Sequence, residues 1–239
     1  MLRTFFLPIF ICISSFLYSQ ESTSTQLQAS KAAVTFYRKY IDENIGLNNG
    51  SEYVAYDFRI KGHPYFESGT LQKGNVMYCG TLYDEIDMAY DIVEDALIIL
   101  KNDDNVRIRL AKEKIDSFLW LDHFFVRLVQ DSNNKTSVPT GFYDRLYNGQ
   151  IKLYARRKKI IMEKIEGNEN ERWFQENDAY IIHKDKSYYP VQKESDLFNL
   201  LNDKKKEIKK YLRKNKIKFR KEKETAILAA IVYYDKLKD

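Results

Sequence analysis

The 239-residue chain is 44% hydrophobic and 14% aromatic, contains only four prolines, and carries a formal net charge of +5. This content of large apolar side chains excludes a largely disordered protein, and the length is sufficient for a domain that buries its own core. Only Cys79 remains after residue 19, which excludes an internal disulfide framework. Because Cys79 lies between apolar residues, we expect it to be a small buried side chain.

Residues 1–19 have the features of a secretory signal peptide. Arg3 supplies a short positive head, and an apolar stretch over 5–17 follows it. That stretch is shorter than the roughly 20 apolar residues of a membrane-spanning helix. We predict cleavage after Ser19 and a mature chain that is periplasmic or associated with the cell surface. The alternative is an uncleaved membrane anchor.

The predicted elements of the mature chain begin with an amphipathic helix over 27–43, where apolar residues recur at helical spacing. The period then changes to two, which indicates half-buried strands. These strands are predicted at 83–92, 96–100, 106–110, 118–129, 151–165 and 179–191. Turn-forming residues separate them, so the segment from about 50 to 191 is predicted to be an antiparallel meander.

The C-terminal segment returns to helical spacing, first over 195–215 and again over 224–237. The sequence therefore predicts an α+β fold: an antiparallel β-meander body with one N-terminal helix and two C-terminal helices. The corresponding division is a signal peptide at 1–19, the N-terminal helix and β-rich body at 20–191, and a basic helical segment at 192–239 packed on the body.

Four carboxylates crowd the predicted strand 83–92: Asp84, Glu85, Asp87 and Asp91. Strand alternation predicts that all except Asp84 share one solvated face. A straight strand cannot bring its own side chains close enough to coordinate a metal ion. Opposite charges on another predicted strand would suit this face, so we expect the two strands to be near neighbours in one sheet. The basic residues concerned are Lys152, Arg156 and Lys158.

Signatures of catalysis are absent from the sequence. His63, His123 and His183 stand in unrelated contexts, without the paired spacing of zinc ligands. No phosphate-binding loop and no G-x-S-x-G elbow occurs. We predict no catalytic, cofactor or metal site, and a protein that is not an enzyme. A hydrolase with no recognisable motif is the weaker alternative.

Aromatic residues cluster near predicted turns: Tyr65, Phe66, Phe142, Tyr143 and Tyr147. We expect them to seal the ends of the sheet, the alternative being a groove for sugar or lipid.

The charge distribution is the feature that points to a partner. Residues 204–223 contain twelve Lys or Arg and two Glu, while the rest of the mature chain is net negative. The candidate surface for an anionic partner comprises Lys205, Lys209, Lys210, Arg213 and Lys214. An exported protein rarely meets nucleic acid, so we expect an envelope protein, an anionic lipid or a glycan as the partner and no nucleic acid. Docking on the acidic body and a plain solvated face remain alternatives.

Several short stretches resemble exported proteins of unknown function that are common in the Bacteroidota. They are "LNNGSEY", "GHPYF", "LYDEIDMAYDI", "GFYDRLYNGQIKLY" and the terminal "YYDKL". The matching residues are Asn49, Gly50, Tyr53, Gly62, Pro64, Tyr65, Tyr90, Asp91, Gly141, Phe142, Tyr143, Gly149, Leu153 and Tyr154. The resemblance implies a signal peptide, a β-rich body and basic C-terminal helices in an exported protein. It implies no mechanism.

These observations favour an exported, non-catalytic envelope protein that acts as a binding or adaptor module. A carrier that encloses an apolar ligand, such as a lipid or lipoprotein, in its sheet is the alternative. Large side chains that meet inside the sheet would favour the binding module, and an apolar cavity would favour the carrier.

Overall fold

The computed structural model describes residues 46–47, 50–101, 106–131, 138–166 and 169–238. The predicted signal peptide and the predicted helix at 27–43 lie outside these residues.

Thirteen strands are present in the described part of the chain. They are β1 (Ser51–Glu52), β2 (Gln72–Tyr78), β3 (Thr81–Asp91), β4 (Ala96–Lys101), β5 (Val106–Arg109), β6 (Ile115–Trp120), β7 (His123–Leu128), β8 (Gly141–Asn148), β9 (Lys152–Arg156), β10 (Lys159–Glu166), β11 (Glu169–Glu176), β12 (Ala179–Lys184) and β13 (Ser187–Val191). Eleven of them form one antiparallel sheet, in the order β1-β5-β4-β3-β2-β6-β7-β8-β9-β12-β13. The predicted antiparallel body is confirmed.

Three runs that the sequence pattern joins are each divided into two strands, two of them by tight turns. Residues 118–129 belong to β6 and β7, with Leu121 and Asp122 between them, and residues 179–191 belong to β12 and β13, which a second two-residue turn connects. Leu121 and Asp122 both have positive φ, as the turns that suit the twist of a hairpin require. Leu121 does not signal such a turn and Asp122 is not followed by glycine, which is why the sequence pattern runs the strands together.

The third divided run is 151–165, which belongs to two different sheets. β9 lies in the large sheet, whereas β10 pairs only with β11 in a separate hairpin. Lys61 forms an isolated parallel bridge to Trp173, so the chain at Lys61 runs beside β11, the second strand of the hairpin. Apolar side chains are exposed along β10, among them Ile160, Ile161, Met162 and Ile165.

The cysteine between β2 and β3 corrects another prediction. Cys79 is exposed rather than buried. It has a φ of 50° and forms a two-residue turn with Gly80, whose φ is 71°. The turn needs positive φ at both positions and points away from the core.

Three helices, not the predicted two, follow the sheet in the described residues: α1 (Glu194–Leu200), α2 (Lys205–Lys214) and α3 (Lys223–Lys236). The predicted helix over 195–215 is interrupted because Leu201 leaves helical geometry, with φ −103° and ψ 36°, and a single 3-10 turn follows. In that turn Asp203 accepts a hydrogen bond from the Tyr234 hydroxyl at 3.2 Å. This contact holds the interruption against α3.

Two apolar clusters form most of the core. Aromatic rings fill the first, on a face of the large sheet, where Phe118 stacks on its cross-strand partner Phe125 at 4.7 Å and Tyr90 lies 4.9 Å from Phe125. The second cluster joins the three helices to β9, β12 and β13. Its helical side includes the buried residues Leu197, Ile208, Leu212, Ile227 and Ile231.

Among the described residues, no helix is long and apolar enough to span a bilayer.

Candidate functional site

The predicted anionic-partner residues lie on α2 and on its outer side. Ile208 and Leu212 are buried in the second apolar cluster, where α2 packs chiefly on α3, and they hold the helix in place. Lys209, Lys210, Arg213 and Lys214 are exposed, and Lys205 is half-buried. We define the basic surface as the exposed cations of α2 and of the loop after it: Lys206, Lys209, Lys210, Arg213, Lys214, Lys216, Lys218, Arg220 and Lys221.

In the part of the chain that the structure describes, the cations of the basic surface take part in no ion pair within 4.0 Å. The exposed carboxylates of the same segment are those of Glu207 and Glu222. Lys209 covers the Phe198 ring at 4.9 Å, which leaves its charge at the surface. The basic helix therefore docks through its apolar stripe and directs its charge outward.

A buried ion-pair network, centred on Arg157, is the second feature of interest. Arg157 lies in the connection from β9 to β10, and its side chain is 8% exposed. Its guanidinium donates to Asp144 from Nε at 3.0 Å and from Nη2 at 2.7 Å. Its Nη1 donates to Asp178 at 2.8 Å and to Glu224 at 2.6 Å. One cation thus joins β8, the β11–β12 connection and α3.

The surrounding carboxylates keep Arg157 protonated. Burial lowers the pKa of Arg157, but the hydrogen bonds to Glu224 and Asp178 and the charge of Asp144 outweigh burial and raise the pKa overall. A buried cation with three carboxylate partners is satisfied on every side of its planar fork. The arrangement fixes the helical layer to the sheet.

His123, at the start of β7, belongs to the same network. Its Nδ1 lies 2.7 Å from Oδ2 of Asp144, and its Nε2 lies 3.5 Å from Glu67. The hydrogen bond with Asp144 raises the pKa of His123, against the opposing effects of burial and of Arg157. A carboxylate-oriented imidazole is the arrangement of a general base. Among the described residues, however, no hydroxyl or thiol is hydrogen-bonded to His123.

The other two histidines are isolated from His123. His63 packs against Tyr65 and His183 against Tyr188. Burial lowers the pKa of both imidazoles. In the described ranges, no three His, Cys, Asp or Glu side chains are grouped as metal ligands.

The acidic strand differs from its prediction. Glu85 has a φ of 57°, and the pairing of β2 with β3 shifts between Gly74 and Val76, so that the alternation changes phase. Asp91 is buried rather than solvated, although it lies on the same side of the strand as the half-exposed Asp87; the Tyr53 hydroxyl, from a distant segment, donates a hydrogen bond to it at 2.8 Å. Asp84 and Glu85 remain exposed.

The basic strand expected beside the acidic one is not its neighbour. β3 and β9 share the large sheet, but β2, β6, β7 and β8 lie between them in the order of pairing. Asp87 pairs instead with Lys73 of β2, at 2.8 Å. Sequence pattern gave the charges but not the order of the strands.

The aromatic residues near the predicted turns are parts of the core. Tyr65, Phe66, Phe142 and Tyr143 are buried, and Tyr147 is half-buried. Phe66 packs edge-on against both His123 at 4.9 Å and Phe125 at 5.5 Å. These contacts support a sealing role and leave these rings no open groove to line.

Sequence reasoning missed Arg157 and its partners altogether. Arg157 stands in the run "YARRKK", where neighbouring Arg156 and Lys158 are more exposed. Its three carboxylates come from positions 144, 178 and 224, so no linear spacing marks them. The sequence carries no signal for this residue, because the strand pattern over 151–165 shows no break at Arg157.

Comparisons of this chain with protein-family models, with curated proteins and with solved structures found no match.

Proposed function

We propose that the protein is an exported, non-catalytic binding module of the cell envelope, and that its basic surface engages an anionic partner. The observation that carries the proposal is the outward direction of the exposed cations on α2 and the following loop, which form no ion pair with any described residue of the body. The signal-peptide features of residues 1–19 support the exported compartment.

The charge pattern of α2 supports binding through electrostatic attraction. Every exposed residue of this helix is charged, and its apolar residues face the core. Such a surface attracts polyanions over about one Debye length, roughly 8 Å at physiological ionic strength. It offers no exposed apolar side chain for insertion into a bilayer.

The interior of the sheet supports a binding module rather than a carrier. Phe118, Phe125, Tyr90 and Phe142 are in mutual contact, with centroid distances between 4.7 and 6.0 Å. Rings packed at these distances occupy the space that an apolar ligand would need.

The buried network supports a non-catalytic role for His123. Both ring nitrogens of His123 face carboxylates, those of Asp144 and Glu67, and Asp144 also forms an ion pair with Arg157. Asp144 is therefore engaged in joining β8 to the connection after β9, which accounts for the network without a reaction.

The test is binding of the protein to vesicles rich in phosphatidylglycerol and to a galacturonate polymer, each at low and high salt. The test variant replaces three exposed lysines of α2 with glutamine: Lys206, Lys210 and Lys214. The matched control replaces three exposed lysines elsewhere: Lys114, Lys158 and Lys186.

We expect binding to at least one probe at low salt, which high salt abolishes. Each basic residue near an anionic surface contributes about 1 kcal/mol, so the α2 variant should bind vesicles about 100-fold more weakly. The control should retain most of the affinity. Equal losses in the two variants, or no binding to any polyanion, would reject the proposal.

A further inference from the structure

A cleft of about 630 Å³ opens beside the basic surface. One wall is the segment that leads into α1, and the other is the segment that leads into α3. Its lining residues are Gln192, Lys193, Glu194, Ser195, Phe219, Arg220 and Lys223. The volume lies within the range of about 300–1,000 Å³ that small-molecule sites occupy.

The cleft is positively charged. Lys193, Arg220 and Lys223 line it together with one carboxylate, that of Glu194. In the described part of the chain none of these three cations forms an ion pair, and Lys223 instead covers the Tyr180 ring at 5.2 Å. An arginine fork with two nearby ammonium groups suits a carboxylate or phosphate, which it can bind through two parallel hydrogen bonds.

The remaining walls suit a polar ring better than a bare anion. Phe219 packs against the helical core and also lines the cleft, where it offers an apolar edge. Gln192, Ser195 and Glu194 supply donors and acceptors for hydroxyl groups. A ring with an apolar face, several hydroxyls and one acidic group matches this combination.

We propose that this cleft binds an acidic sugar unit of an anionic saccharide, through its carboxylate or phosphate. This inference rests on the proposed function and specifies its ligand: the basic surface attracts the chain, and the cleft binds one residue of it. Arg220 belongs to both, since it is exposed in the loop after α2 and lines the cleft.

The experiment titrates the protein with a galacturonate trimer, with galactose phosphate and with a neutral glucose trimer, at physiological salt. Two double variants remove equal charge, one Lys and one Arg each. Lys193→Gln/Arg220→Gln alters the cleft, whereas Lys206→Gln/Arg213→Gln alters only α2. Amide NMR shifts locate the bound sugar on the wild-type protein, and thermal unfolding checks that both variants fold.

We expect at least one acidic probe to bind and the neutral trimer not to bind. The cleft variant should lose about tenfold or more in affinity, because a charge-assisted bidentate contact is removed, and the α2 variant only about twofold. Shift changes should concentrate at 192–195 and 219–223.

Equal losses in the two variants, or shift changes spread along α2, would overturn the cleft inference while leaving the proposed function intact. Absence of binding by both acidic probes would also overturn it. Failure of the vesicles and of the galacturonate polymer to bind at low salt would reject the proposed function itself.

Discussion

Replacement of Arg157 by glutamine should strongly destabilise the fold. The Asp144 side chain is only 2% exposed and would lose the two hydrogen bonds from the guanidinium, at 3.0 and 2.7 Å, keeping only His123. Asp178 and Glu224 would lose the same cation but are 20% and 35% exposed, so water can partly replace it.

The expected loss is about 3 kcal/mol. Removal of one partner from a buried ion pair costs roughly 3–5 kcal/mol, because the other charge stays buried and unpaired. The lower end applies here, since two of the three carboxylates reach water. Urea unfolding followed by circular dichroism should show the midpoint lowered by about 1 M.

A matched arginine and a double variant test the reasoning. Arg59→Gln removes the same charge from an ion pair with Asp57, but Arg59 is 73% exposed, and its midpoint should scarcely move. Asp144→Asn added to Arg157→Gln should recover part of the loss, because it removes the orphaned charge. Equal midpoints for Arg157→Gln and Arg59→Gln, or strictly additive effects in the double variant, would refute this account of the network.

Two further predictions concern pH and packing. The hydrogen bond with Asp144 raises the folded-state pKa of His123, so its contribution is complete below the unfolded pKa, about 6.5, and is lost as pH rises through the folded pKa. The stability difference between wild type and His123→Gln, measured by urea unfolding, should therefore shrink with rising pH; a constant difference would contradict this. In Gly74→Ala the new Cβ would lie 2.7 Å from the Leu119 carbonyl oxygen, which no rotamer change relieves, so the loss should reach at least about 3 kcal/mol. Gly80→Ala has open space but a φ of +71° and should lose about 1–2 kcal/mol; thermal melts that reverse this order would contradict the packing argument.

Regular periodicity allowed most of the strands and the helical C-terminal segment to be predicted from the sequence. The pattern failed where local geometry depends on a partner. Glu85 looks like part of a continuous alternation, yet the bulge against β2 takes it out of phase with Asp87, and the hydrogen bond from the distant Tyr53 accompanies the burial of Asp91. The turn at Leu121 and Asp122 lacks the Asn-Gly pair that marks such turns, so the hairpin between β6 and β7 could not be predicted from the residue types.

The candidate sites also differ in how far the sequence could predict them. The outward face of α2 could be predicted, because helical spacing separates Ile208 and Leu212 from the cations. The network of Arg157 could not, because its partners are brought together only by the fold. The cleft beside Phe219 is equally long-range, formed by two segments more than twenty residues apart.

The signs of charge are segregated across the helical layer. Three of its acidic residues are engaged away from the basic surface: Glu224 meets Arg157, Asp203 meets Lys238, and Asp235 is buried beside the Ile151 amide. Of the described carboxylates, only Glu207 and Glu222 are exposed among the cations of the basic surface, so the repulsion between these cations is only partly relieved. A surface that only maintained solubility would intersperse both signs and avoid this repulsion. An anionic partner would relieve it on binding, so the cost carried by the free protein becomes part of the driving force for the complex.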